Sequence, residues 1–99
     1  MVDFRKKVEL AYTIAVQELE NRKRGIDGES TEAELEQVII PEMQELMVIV
    51  DRKQLPPKEK RYLKSFANAF RVWDWDMNHP TQLFMLLSEL NSEYKNIGI

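Results

Sequence analysis

Apolar residues recur at intervals of three and four along almost the whole chain, a spacing that gathers them on one side of a helix at about 100° per residue. Phe4, Val8, Ala11, Tyr12, Ala15 and Leu19 form the first such stripe, with Lys6, Glu9, Thr13, Gln17 and Glu20 on the other side. Arg22, Lys23 and Arg24 follow in a last turn, where cations favour the negative helix end, and Gly25 offers the left-handed stop. The pattern predicts a first helix from about Asp3 to Arg24.

Gly25 to Glu29 reads as a loop, and Thr31 with Glu34 three positions later fits a capping box that opens a second helix. Its stripe is Leu35, Val38, Ile39, Met43, Leu46, Ile49 and Val50. The phase persists across Pro41, which removes a backbone donor and pushes Ile40 away from helical angles, so a kink or break is expected there. Met47 to Val50 also has β-branched character, but no second strand-like segment exists to pair with it.

Leu55, Pro56 and Pro57 form a rigid connector, and a third helix is expected to begin near Pro57. Tyr62, Leu63, Phe66, Ala69, Phe70, Trp73 and Met77 share its apolar face. Asn78 can cap a fourth helix with Pro80 in the first turn, carrying Leu83, Leu86, Leu87, Leu90, Tyr94 and Ile97. Four amphipathic helices on short connectors need one another to bury their stripes. The expected fold is all-α, a compact bundle of four amphipathic helices in one domain, 1–99, the second helix kinked or broken near Pro41.

Ninety-nine residues suit one domain, and an apolar fraction of 43% disfavours disorder. No cysteine is present, which excludes thiolate catalysis and disulfide scaffolds and suits the cytoplasm. The longest apolar runs fall far below the roughly 18 residues of a membrane span, and Met1 to Leu10 is too charged for a signal peptide. A soluble, unprocessed cytoplasmic protein is expected.

The net charge of −3 conceals a pattern: residues 1–24 carry +2, 25–51 carry −8, 52–77 carry +4 and 78–99 carry −1. The acidic segment, with Glu32, Glu34, Glu36, Glu42 and Glu45 among its carboxylates, holds no basic residue. Its charges either pair across grooves with neighbouring basic helices or face a basic partner, since complementary surfaces steer encounter. Glu42 points along the apolar stripe, so either Pro41 turns it outward or a basic side chain reaches it, the former being the expectation.

Trp75 falls on the side of the third helix shared by Lys64, Asn68 and Arg71, and Trp and Arg are enriched where protein interfaces derive their energy. The alternative is a Trp75 that folds under the next loop or stacks on Arg71. Met85, Leu10 and Ile14 also lie off their stripes. Lys58, Lys60, Arg61 and Lys64 cluster at the start of the third helix and suggest contact with a nucleic-acid backbone, although the leucine-rich fourth helix makes a poor base reader.

Catalytic sets are thin. One histidine, His79, rules out paired-histidine metal sites in a monomer, and no glycine-rich phosphate loop occurs. Asp74, Asp76 and Asn78 imitate the start of a calcium loop, yet His79 replaces the turn glycine and Met85 the bidentate glutamate. Glu42 and Glu45 form one Glu-x-x-Glu pair of the kind magnesium-dependent hydrolases use, without a second pair to complete a cage. The leading expectation is therefore a small non-catalytic domain without cofactor, a monomer or weak homodimer, that binds another protein. It would act as a regulatory subunit or as an acidic neutralising partner, of the immunity or antitoxin kind, for a basic protein. Arg71, Trp75, Lys64, Asn68, Glu32, Glu34, Glu36 and Glu45 are the candidate contacts. Nucleic-acid backbone binding and a metal-assisted hydrolase are the alternatives from other classes.

Overall fold

The computed structural model describes residues 2–97; Met1, Gly98 and Ile99, at the ends of the expected domain, lie outside it. The first helix, α1, spans Val2–Lys23. It ends as its sequence predicts: Gly25 takes φ 84°, its N–H donates to Arg22 O, and the Ile26 N–H reaches back to Asn21 O. That pair of bonds satisfies carbonyls the helix would otherwise leave open. Arg22 does more than favour the helix dipole. Its guanidinium donates to Ser30 O at 2.8 Å and Ile26 O at 2.6 Å and pairs with Glu18, folding the 25–30 loop around itself. The guanidinium lies directly over Gly28, where a Cβ would displace it.

Thr31 and Glu34 make the expected capping box, each side chain accepting from the other's backbone N–H at 3.1 and 3.0 Å. From it three consecutive segments, Glu32–Glu34, Leu35–Ile39 and Ile40–Asp51, run on as one helix, α2. The middle segment is a π-turn, in which the Ile40 N–H donates to Leu35 O. Proline 41 has no N–H to continue the ladder, and one wider turn just before it absorbs the disruption without breaking the helix. The expected kink is thus a π-turn, and the β-branched run beyond it is helical. The end of α2 repeats the geometry of α1, with Lys53 at φ 53° in the position where Gly25 stands in the first helix.

The third helix is shorter than its stripe suggests. Residues Lys58–Lys60 make a single 3-10 turn, and α3 runs only over Lys64–Arg71. Arg61 is extended, its guanidinium donating to Pro56 O at 2.8 Å and to Ile97 O at 2.5 Å, which ties the connector to the far end of the chain. After Arg71 the chain reverses: Asp74 adopts φ 56°, and the Trp75 N–H returns to Ala69 O at 3.1 Å. An aspartate tolerates this left-handed conformation better than most residues. The fourth helix, α4, spans Gln82–Asn96 and is capped by Thr81, which accepts from the Phe84 N–H, so Asn78 does not cap it and Pro80 precedes it.

Helix α1 packs against α2 and α4, while α3 leans on α4 and on the π-turn of α2. The described residues form no strand, and the all-α bundle is as expected. One cluster joins the buried stripes of all four helices: Phe4, Val8, Ala11 and Ala15 meet Leu35, Ile39, Met43, Leu46 and Val50, with Leu83, Leu86, Leu87, Leu90 and Tyr94 opposite. Phe84 and Trp75 join it although neither belongs to a predicted stripe. Tyr62, Phe70 and Met77, expected on the buried face of the third helix, are instead 53%, 45% and 58% exposed: Tyr62 precedes α3 and Met77 follows it, so neither is held to the helical stripe, and Phe70, within α3, lies on its outer side. Among the described residues no helix is long and apolar enough to cross a membrane.

Candidate docking surface

The short helix α3 is held at its start by side chains from two other helices. Glu42, on α2, accepts from the Lys64 N–H at 2.6 Å and from the Ser65 N–H at 2.9 Å, one bond to each carboxylate oxygen. Asn91, on α4, accepts from the Leu63 N–H at 2.8 Å. Open amides and the positive end of the helix dipole make a carboxylate favourable here. Glu42 therefore neither turns outward at Pro41 nor meets a basic side chain; it caps a neighbouring helix.

So anchored, α3 and the extended residues just before it present an aromatic row on their outer side. Phe66 is half-buried, 6.0 Å from Phe70 and 5.9 Å from Phe84 between ring centroids, and Tyr62 and Phe70 stand exposed beside it. A groove of about 380 Å³ lies between this row and α4, with Tyr62, Phe66, Phe70, Asn91, Arg71 and Lys95 on its walls. On the other side of Phe66 a second groove, of about 330 Å³, is lined by Met77, Pro80, Phe84 and Met85. Contiguous exposed aromatic and methionine side chains beside an arginine are the composition of interface cores and differ from scattered surface apolar residues. Leu10 and Val48 are exposed singly elsewhere, and Ile14 is packed against the core.

The expected contacts fall in three places. Arg71 lies on the aromatic surface, while Lys64 and Asn68 line a different groove, of about 600 Å³, with Glu42 and Glu45. Trp75 does not join them. It is 4% exposed, packs 5.6 Å from Trp73 and meets Phe84 edge to face at 5.6 Å, because the reversal at Asp74 sends its side chain inward under the loop. Glu32, Glu34 and Glu36 lie along the outer side of α2, distant in role from Arg71: Glu34 closes the capping box and Glu36 pairs with Lys23 at 3.2 Å. The sequence did not single out Tyr62, Phe66 and Phe70 as contacts. Their spacing of four, taken alone, places them on the buried face of a helix.

Charge pairing is uneven. The acidic segment reaches α1 through Arg5 with Asp51 at 3.0 Å and Lys23 with Glu36, and Glu29 accepts from the Asp76 N–H at 2.8 Å. Including Glu34 and Glu42, five of the eight carboxylates in 25–51 thus hold groups of this chain. The basic side chains are not their partners: among the described residues Lys58, Lys60, Lys64 and Arg71, and Lys95 beyond them, form no ion pair, and Arg61 is spent on carbonyls. The lysine cluster accordingly loses its arginine as a contact for phosphates. Glu42 and Glu45 share a groove, but both Glu42 oxygens are occupied by amides, and among the described residues no three histidine or carboxylate side chains converge as a metal set.

The loop after Trp75 is closed by Asp76. Its carboxylate accepts from the Asn78 N–H at 2.9 Å and stands 3.2 Å from His79 Nδ1, and these bonds, the Asn78 amide first, hold its pKa below the usual carboxylate value. A depressed carboxylate stabilises the fold above its unfolded pKa and loses that contribution as pH falls through the folded value. Amide NMR during acid titration should show Asp76 and the Asn78 N–H moving together, at a pH below the midpoints of free carboxylates. A common midpoint at the ordinary aspartate value would refute the closure.

Comparison of the chain with protein-family models, with curated proteins and with solved structures finds no match.

Proposed function

We propose that this chain is a non-catalytic protein-binding domain that docks its partner on the face shared by α3 and α4. The observation that carries the reading is the aromatic row of Tyr62, Phe66 and Phe70, which stays at the surface of an otherwise closed core and runs beside Arg71 and Lys95. Bound partners bury such rings in a desolvated centre, and arginine beside them adds a directional, charge-assisted donor. Docking through the acidic side of α2 on a basic protein is the weaker reading, because most of those carboxylates already serve the fold.

Affinity capture from the native host, read as stoichiometry, tests the site. Phe70→Ala and Arg71→Ala should each weaken the captured partner by about 30-fold, equivalent to about 2 kcal/mol, while far-UV circular dichroism stays unaltered. Glu32→Gln with Glu45→Gln should leave capture intact. Unaltered capture by the Phe70 and Arg71 variants, with loss in the glutamine pair, would move the contact to α2.

A further inference from the structure

Resting on that docking reading, we infer that the occupant of the α3/α4 groove is an acidic amphipathic helix. The chain offers no sheet edge among its described residues, so a strand has nothing to pair with, whereas a groove between two helices suits a helix laid along it. The dimensions agree: the eight residues of α3 rise about 12 Å, and apolar anchors at i, i+4 and i+7 of a partner helix span about 10 Å. Phe66 and Phe70 stand one turn apart on α3, and Tyr62, in the extended residues just before the helix, lines the same groove, so the three can take such anchors between them.

Charge selects the sign of the partner. Arg71 and Lys95 stand on the walls of this groove without an ion pair among the described residues, and Lys60 and Lys64 line the adjoining groove on the far side of Tyr62. The nearest carboxylates of α4, Glu89 and Glu93, are turned to Lys7 of α1, at 3.9 and 2.6 Å. Glu42 and Glu45 line that adjoining groove beside the two lysines, so the sign is set by Arg71 and Lys95 on the walls of this one: an acidic flank on the incoming helix would pair with them, while a basic flank would meet repulsion, and complementarity of this kind governs both encounter rate and partner choice.

Two synthetic helical peptides with the same leucine anchors, one flanked by glutamate and the other by lysine, distinguish the partner class. In low salt, the glutamate peptide should shift the amide resonances of Phe66, Phe70, Arg71 and Lys95 and bind about tenfold more tightly than its twin, the difference shrinking as salt is added. Arg71→Glu combined with Lys95→Glu, checked for unaltered helicity, should reverse the preference. Equal or tighter binding of the lysine peptide overturns the acidic class. So does the absence of shifts at those amides with both peptides, or a dimer in sedimentation that Phe70→Ala dissociates, since the groove would then be filled by a second copy. If capture in the host still depends on Phe70, only the partner class has failed; if capture ignores Phe70, the docking face itself has failed.

Discussion

Trp75→Ala should remove about 3–5 kcal/mol of folding free energy, the range for deleting a large aromatic from a packed core. A domain of this size has about 5–15 kcal/mol in all, so the variant should melt at least about 12 °C lower, at roughly 4–8 °C per kcal/mol. The indole is 4% exposed, packs against Trp73 and meets Phe84 edge to face. Its Nε1 is buried without a protein acceptor, so Trp75→Phe removes an unmatched donor along with part of the ring and should cost clearly less than alanine. Thermal melts of the two variants beside Trp73→Ala check the ranking, Trp73 being only half-buried. An alanine variant melting within a few degrees of the native protein would mean that the loop does not carry Trp75 into the core. The ranking also bears on function: lost partner capture in Trp75→Ala would report unfolding, which is why Phe70 and Arg71 are the residues that test the surface.

Glu42→Ala should cost about 2 kcal/mol, because one truncation leaves two amides at the head of α3 without acceptors. Both bonds are formed across elements, from α2 to Lys64 and Ser65, so the loss is not confined to helix fraying. Urea unfolding should show the lower midpoint, and hydrogen exchange should quicken first at Lys64 and Ser65, with Glu42→Gln falling between the two because one oxygen acceptor survives. Partner binding should weaken as well, although Glu42 touches no part of the aromatic row, since α3 carries Phe66, Phe70 and Arg71 on the helix that Glu42 and Asn91 hold. An unaltered midpoint with unaltered exchange at Lys64 and Ser65 would refute the cap.

Local patterns were readable where a few neighbouring residues settle the outcome. The Thr31 and Glu34 box and the Gly25 stop depend on contacts within one turn, and the stripes of α1 and α4 lie along helices long enough for periodicity to average over errors. The candidate site was only partly readable. Arg71 was singled out, but the aromatic row beside it was assigned to the core, since periodicity says which residues share a face and not which face a neighbour covers.

Composition and spacing, which act through the local backbone, specify an all-α chain, four segments with apolar stripes to bury, and a charge divided into acidic and basic stretches. The tertiary structure decided where α3 starts and stops, that Trp75 is inside and Phe70 outside, and that Glu42 serves another helix. Each of those outcomes depends on groups in different elements: the amides of 64 and 65 reaching a carboxylate at 42, the guanidinium of Arg61 reaching a carbonyl at 97, and Trp75 meeting Phe84 after a reversal at Asp74. A stripe fixes which residues could be buried together; only the position of the neighbouring helices fixes which of them lose contact with water.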